Sequence, residues 1–298
     1  MSETRKKNSR SARTTLAVVG LGALGSLGLS ACSSGGGSSV AADCTPAHAD
    51  LRTVAKGSLT FGVIDAPPFT ANVTGGGAEG LDVDIVKELA KRECLDVRYV
   101  STTIASGIPM ISQQKSVDLM GGALYAVAKR AQVVDFVGPL YYDKMSIASR
   151  TGVGTISGLE SLGSVGTVDG MMWIPQLKEV LGDKLRTYPS SVELSQDLLN
   201  GRLDAAIDSY ATSVYYYKSD QGITVTISEP DERVAVTTET PQTIFPISKD
   251  ATGLRDALNE DAVAMRTDGT LKGILRGRNF DEALSVPPEE QLRIIDLG

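Results

Sequence analysis

From residue 59 onward, short apolar runs alternate with stretches whose apolar residues recur at helical spacing. LTFGVI (59–64) predicts a buried strand, ended by Asp65-Ala66-Pro67-Pro68-Phe69, where the proline pair forbids a helix and sets an extended turn. After a loop rich in glycine (Gly75, Gly76, Gly77, Gly80), Val83, Ile85, Val86, Leu89 and Ala90 share one helical face. DVRYV (96–100) and VDLM (117–120) predict strands, with a short helix opening on Pro109 between them, and VVDFVGPLYY (133–142) predicts another strand plus an exit segment. A second series, MSIAS, SVGTVDG, LRTYP, LDAAIDS and ITVTIS, begins at Met145, interleaved with helices at 172–182, 192–200 and 210–218. PQTIFPI (241–247) predicts a strand that rejoins the first series, and helices over 254–270 and 272–278 complete it. Such alternation predicts an α/β fold with parallel sheet character.

The pattern before residue 50 is of another kind. Arg5, Lys6, Lys7, Arg10 and Arg13 stand against one acid, Glu3, and an uncharged run follows from Thr14 to Cys32. A basic start, a short apolar centre and small residues before a cleavage point describe an export signal. The apolar centre, Leu16–Leu29, spans fourteen residues, short of the roughly 20 that a membrane-spanning helix needs. Leu29-Ser30-Ala31-Cys32 resembles the lipobox of bacterial lipoproteins, which implies cleavage before Cys32 and a lipid on its thiol. SSGGGSS follows, a flexible tether that cannot begin a fold. The reading is a signal peptide at 1–31 and a lipidated tether at 32–49.

Charge and cysteine usage add to this. The whole chain carries 29 basic and 36 acidic residues; residues 1–31 hold five of the former and one of the latter, which leaves 24 and 35, a net −11. So acidic a chain is a poor partner for nucleic acid or anionic headgroups. With Cys32 assigned to lipid, Cys44 and Cys94 remain, and in an oxidising compartment such a pair forms a disulfide. The single histidine, His48, lies in the polar stretch ahead of the first strand. A triad or an imidazole-ligated metal needs partners around the ring, and the sequence around His48 supplies none, so neither a metal nor a cofactor is expected.

GVIDAPPFT, GLDVDIVKELAKR, ASGIPMISQQKSVDLMGGALYAVAKRAQVVDFVGPLYYDKM, GSVGTVDG, NGRLDAAIDSYAT and LNEDAVAMRTDGTLKGI, in this order and spacing over 59–277, resemble the family 3 extracellular solute-binding proteins of ABC importers. The resemblance implies the type II periplasmic-binding-protein-like fold: two α/β lobes joined by two crossover segments, with ligand in the cleft between them. Lobe 1 would be residues 50–144 plus 238–282, lobe 2 residues 145–237, and 283–298 a C-terminal tail. It also implies site residues. Arg130 matches the arginine that forks onto a ligand carboxylate, two N–H donors meeting two oxygens. Asp65, Phe69, Ile104, Gly122, Ala123 and Tyr125 match first-lobe positions around the cleft, and Met172, Trp173, Asp208 and Ser209 match second-lobe positions.

The departures from the family pattern bear on the ligand. Gly122 and Ala123 replace hydroxyl residues, so their backbone N–H groups would have to serve. Met171-Met172-Trp173 replaces a threonine that grips carboxylate, and Ser209 stands where an acid usually meets the ligand ammonium, with Asp208 one residue short. Trp173, Tyr125, Tyr210 and Met172 would line the cleft, and aromatic faces attract cations. The expected function is a monomeric transport receptor, not an enzyme, that delivers an amino acid or a related carboxylate or cation to permease subunits in the membrane. A sensory module for a membrane receptor and a dehydratase on the same scaffold are the alternatives.

Overall fold

A computed structural model of the chain describes residues 40–41, 43–72, 77–217 and 222–296. The signal region and Cys32 lie outside the described residues. Within them, no helix is long and apolar enough to cross a membrane.

Two sheets organise the fold. In the first, β1 (Ser58–Val63) is buried along its whole length, and it pairs in parallel with β4 (Asp96–Ser101) on one side and β5 (Leu119–Gly121) on the other. A small hairpin of β2 (Ala71–Asn72) and β3 (Ala78–Glu79) follows β1 and leads into helix α1 (Leu81–Arg92). Its apolar stripe, Val83, Ile85, Val86, Leu89 and Ala90, is buried against the sheet beside Leu59, Phe61 and Leu119, and each of the branched side chains contributes roughly 1.5–3 kcal/mol on burial. Helix α2 (Ile104–Ser112) joins β4 to β5, and β6 (Leu124–Tyr125), helix α3 (Ala128–Ala131) and β7 (Asp135–Val137) come next. The sheet order is β4-β1-β5-β13-β6, with β7 also on β13 (Thr243–Ile247), which returns from the far side of the second lobe and runs antiparallel to its neighbours.

The second sheet has the order β10-β9-β11-β8-β12, built from β8 (Met145–Ser149), β9 (Val165–Val168), β10 (Leu185–Tyr188), β11 (Ala205–Ser209) and β12 (Thr224–Ile227). Its helices are α4 (Ile156–Glu160), α5 (Ile174–Leu181), α6 (Ser191–Leu199) and α7 (Tyr210–Tyr217). Helices α8 (Thr252–Thr267) and α9 (Thr270–Gly277) cover the first sheet after the chain has returned. This is the type II periplasmic-binding-protein-like arrangement, and the chain passes between lobes around Tyr142–Lys144 and again before Thr243. The crossovers touch: Tyr142 bridges Gln242, and Asp143 N–H donates to Pro241 O at 3.0 Å.

One local expectation is corrected. Helix α2 starts at Ile104, not at Pro109, because Thr103 and Ser106 form a reciprocal capping box at its first turn, and Pro109 lies inside the helix. Within 133–142 the strand is Asp135–Val137, and the exit segment begins at Gly138, whose φ of 142° turns the chain towards the crossover. Cys44 and Cys94 are joined by a disulfide, their Cα atoms 5.8 Å apart.

Candidate functional site

Strand ends and helix starts of both lobes meet in a cleft of about 290 Å³. From the first lobe come the turn after β1 (Ile64, Asp65, Ala66), the start of α2 (Thr102 to Ala105) and Gly122; from the second come Val168, Asp169, Met171 and the start of α6 (Pro189, Ser190, Ser191). Open α/β sheets place ligands at such carboxyl ends. The lobes approach closely at Ile104 and Gly170. Gly170 has φ 83°, and a Cβ there would lie 3.1 Å from Ile104 Cγ2, so glycine allows both the backbone shape and the approach.

Asp82 shapes the first-lobe rim. Buried at the start of α1, it accepts hydrogen bonds from Gly122 N–H (2.7 Å), Ala123 N–H (3.0 Å) and Tyr141 Oη (2.6 Å). Burial raises its pKa, and these donors oppose the shift. The two amides that the sequence reading offered to a ligand are therefore spent on Asp82, a correction that follows from a carboxylate needing donors where water cannot reach.

Arg130 lies in an adjoining groove, shared by α3, residues Asp169–Met172 and the C-terminal Ile295 and Asp296. Its Nη1 donates to Tyr125 O at 2.9 Å and its Nη2 to Gly170 O, across the lobes, at 3.3 Å. Burial lowers its pKa to about 10, so it stays cationic at neutral pH. Among the described residues it makes no ion pair with a carboxylate: only carbonyl oxygens face a guanidinium that has five N–H donors. A half-buried charge without a counter-charge bears part of the cost of leaving water, and an incoming carboxylate would relieve it.

The remaining expected residues are not gathered in the cleft. Phe69 is 1 % exposed and stacks on Tyr141, ring centroids 5.8 Å apart, within the first core. Trp173 is fully buried in the second core, its indole N–H donating to Thr167 Oγ1 at 2.8 Å. Tyr210 is exposed and borders a different cavity, with Lys144 and Phe280. The aromatic lining expected from Trp173, Tyr125 and Tyr210 is thus not assembled in the cleft: Trp173 and Tyr125 belong to the second core, where their large apolar area is better buried. Met172 lines the groove beside Arg130.

Behind the cleft, at the crossover, lies an acidic network. Tyr125 Oη donates to Asp143 Oδ2 at 2.5 Å. Asp208 accepts from Ser191 Oγ (2.6 Å) and Ser209 N–H (2.7 Å), while Ser209 Oγ caps α7 through Thr212 N–H at 3.3 Å. Burial pushes Asp143 up to about 7 and Asp208 to about 6, with Asp208 adding repulsion at Asp143. Asp82, Asp143, Asp169 and Ser191 were not singled out from sequence. Asp82 alone left a signal, an acid amid the apolar start of α1.

Comparison with known proteins accords with this geometry. The sequence profile of the bacterial extracellular solute-binding proteins, family 3, matches residues 59–277. The histidine-binding periplasmic protein of Salmonella typhimurium is 27% identical over 229 residues, which cover 72% of this chain and 84% of that protein. Among solved structures, the amino-acid ABC transporter substrate-binding protein AbpA of Streptococcus pneumoniae, bound to L-arginine, superposes with a TM-score of 0.66 at 18% identity, covering 78% of this chain and 98% of that one. An ancestral amino-acid-binding protein, a precursor of cyclohexadienyl dehydratase, gives 0.64 at 25% identity, covering 74% and 94%. With the profile spanning most of the chain and both lobes in place, the chain belongs to the bacterial extracellular solute-binding proteins, family 3.

Proposed function

We propose that the protein captures a small amino-acid-type solute, one bearing a carboxylate and a positive group, outside the cytoplasm and delivers it to an ABC permease while a lipid on Cys32 holds it to the membrane. The observation that carries the reading is Arg130: a half-buried guanidinium at the lobe junction whose polar contacts are carbonyls. A ligand carboxylate fits this donor fork. Asp65 and Asp169, both exposed at the cleft, offer acids to the positive end of the ligand. Relatives that bind histidine or arginine support the same class. Closure of the lobes would exclude water and strengthen each of these contacts.

A thermal-shift screen of the full chain in detergent, over basic and neutral amino acids, betaines, polyamines and aromatic acids, tests the reading. A ligand at 100 times its Kd stabilises by about 2.7 kcal/mol. Carboxylate-bearing amino acids with a positive group should shift the transition and polyamines without a carboxylate should not; the reverse pattern refutes the proposal.

A dehydratase on this scaffold is the second reading, favoured by a raised-pKa acid, Asp208, close behind the cleft wall. Asp208 is held by Ser191 and Ser209 rather than presented to the cleft, which supports binding without turnover. Product formation from a prephenate-like acid would replace the transport reading with the enzymatic one.

A further inference from the structure

The histidine that the sequence left without partners has two, Glu93 and Glu260. His48 lies where the segment ahead of β1 crosses the end of α1 and the middle of α8. Its Nδ1 is 2.5 Å from Glu93 Oε1, its Nε2 is 3.1 Å from Glu260 Oε2, and its backbone N–H donates to Glu93 Oε2 at 3.0 Å. Glu93 and Asp261 are 3 % and 4 % exposed. Ligand-type atoms of His48, Glu93 and Asp261 all lie within 4.8 Å of one another. Asp261 Oδ2 is buried with no hydrogen-bond partner among the described residues. The neighbouring cation, Arg92, is engaged by Asp268 and Glu88.

Two buried carboxylates with oxygens within 4.8 Å of each other, one oxygen unmatched, are a poor arrangement for protein atoms alone. A cation between them and the imidazole resolves it. We propose that His48, Glu93 and Asp261 bind a divalent transition metal, zinc by donor chemistry, and so fasten the segment ahead of β1 to the first lobe. One imidazole with carboxylates suits zinc, whereas calcium and magnesium favour oxygen donors alone. Zinc holds such nitrogen and oxygen atoms at about 2.0–2.2 Å, so the ring and Glu93 need only part slightly to admit it. Glu260, with its side chain 75% exposed, faces the far ring nitrogen, the place of a carboxylate that orients a metal-bound imidazole without touching the metal. An open cavity of about 660 Å³, lined by His48, Asp50, Arg52 and Glu260, gives the ion a path from solvent. The site stands apart from the cleft and does not depend on the transport reading.

His48 is the chain's one histidine, so its ring gives a single set of NMR signals. Full chain in detergent, stripped with a chelator and free of any histidine tag, is titrated with zinc by calorimetry and by NMR. The expected results are 1:1 binding, displacement of the imidazole signals, and affinity weakened roughly tenfold or more by Asp261→Asn and by His48→Ala. Asp261→Asn removes a crowded charge and should keep the fold, and Arg130→Ala should bind zinc as the wild type does. The proposal is overturned if zinc leaves the imidazole signals in place, or if Asp261→Asn binds it with unchanged affinity.

Discussion

Asp143 is a carboxylate that folding places under strain of charge. It sits at the first crossover, buried, with Tyr125 as donor and Asp208 as a nearby like charge, and its pKa is raised to about 7. An acid whose folded pKa is raised holds its proton in the folded state over a range where the unfolded chain has lost it. Stability from this group is therefore full below about pH 4 and is lost as pH climbs towards 7. Asp143→Asn should accordingly raise the melting temperature at pH 8, by an amount equivalent to at most about 4 kcal/mol, and confer no advantage below pH 4. Calorimetric melting across that range checks it, and an equal benefit at both ends would sink the assignment. This group also shows where the site stopped being legible. Arg130 could be picked out from the Tyr-Ala-Val-Ala-Lys-Arg-Ala context, but nothing local in Tyr-Tyr-Asp-Lys-Met marks Asp143 as buried. Its environment is made by β6 and β11, far away in sequence. Trp173 failed in the opposite sense: its position in the sequence pointed to the cleft, and packing against Leu177 and Ile207 in the second core claimed it.

Among the elements, the C-terminal segment does more than its reading as a tail suggested. Val286 N–H donates to Leu140 O, Arg266 Nη1 holds Pro287 O and Glu290 O, and Gln242 bonds Glu290 and accepts from Arg293 N–H. Ile295 then pairs with Val127, trading hydrogen bonds with Ala126 O and Ala128 N–H at 2.9 and 3.0 Å. The segment thus runs along both crossovers and ends beside the four-residue helix that carries Arg130. So short a helix has little stability of its own. Deleting residues 285–298 should lower the melting temperature by several degrees and weaken solute binding, and an unaltered affinity would show that the segment does not support Arg130. The amphipathic α1 and the alternating strands were legible because local periodicity records which face is buried. The segment after residue 283 was not, because its hydrogen bonds run through backbone to distant partners and leave no periodicity behind.

At the scale of the molecule, the two-lobed architecture was readable from the order of apolar runs, since β13 returns to the first sheet as PQTIFPI foretold. The disulfide was readable from cysteine arithmetic and compartment. It closes a 50-residue separation and ties the segment ahead of β1 to the end of α1. Chain entropy for a loop of that length is worth up to about 4 kcal/mol, so the Cys44→Ser, Cys94→Ser double variant should unfold at lower denaturant, with a loss of that order; a midpoint unchanged from the oxidised wild type would contradict it. Less legible was the cleft itself, whose depth and lining depend on how near the lobes approach at Ile104 and Gly170.

The central claim is that a half-buried Arg130 without a carboxylate partner among the described residues receives a ligand carboxylate. Calorimetric titration of the full chain and of Arg130→Ala with the amino acid that gives the largest thermal shift tests it most directly. Truncating one partner of a buried, hydrogen-bonded charge pair costs about 2–5 kcal/mol, so the account predicts 1:1 binding to the wild type and an affinity at least roughly 30-fold weaker in the variant. Equal affinities in the two proteins would contradict it.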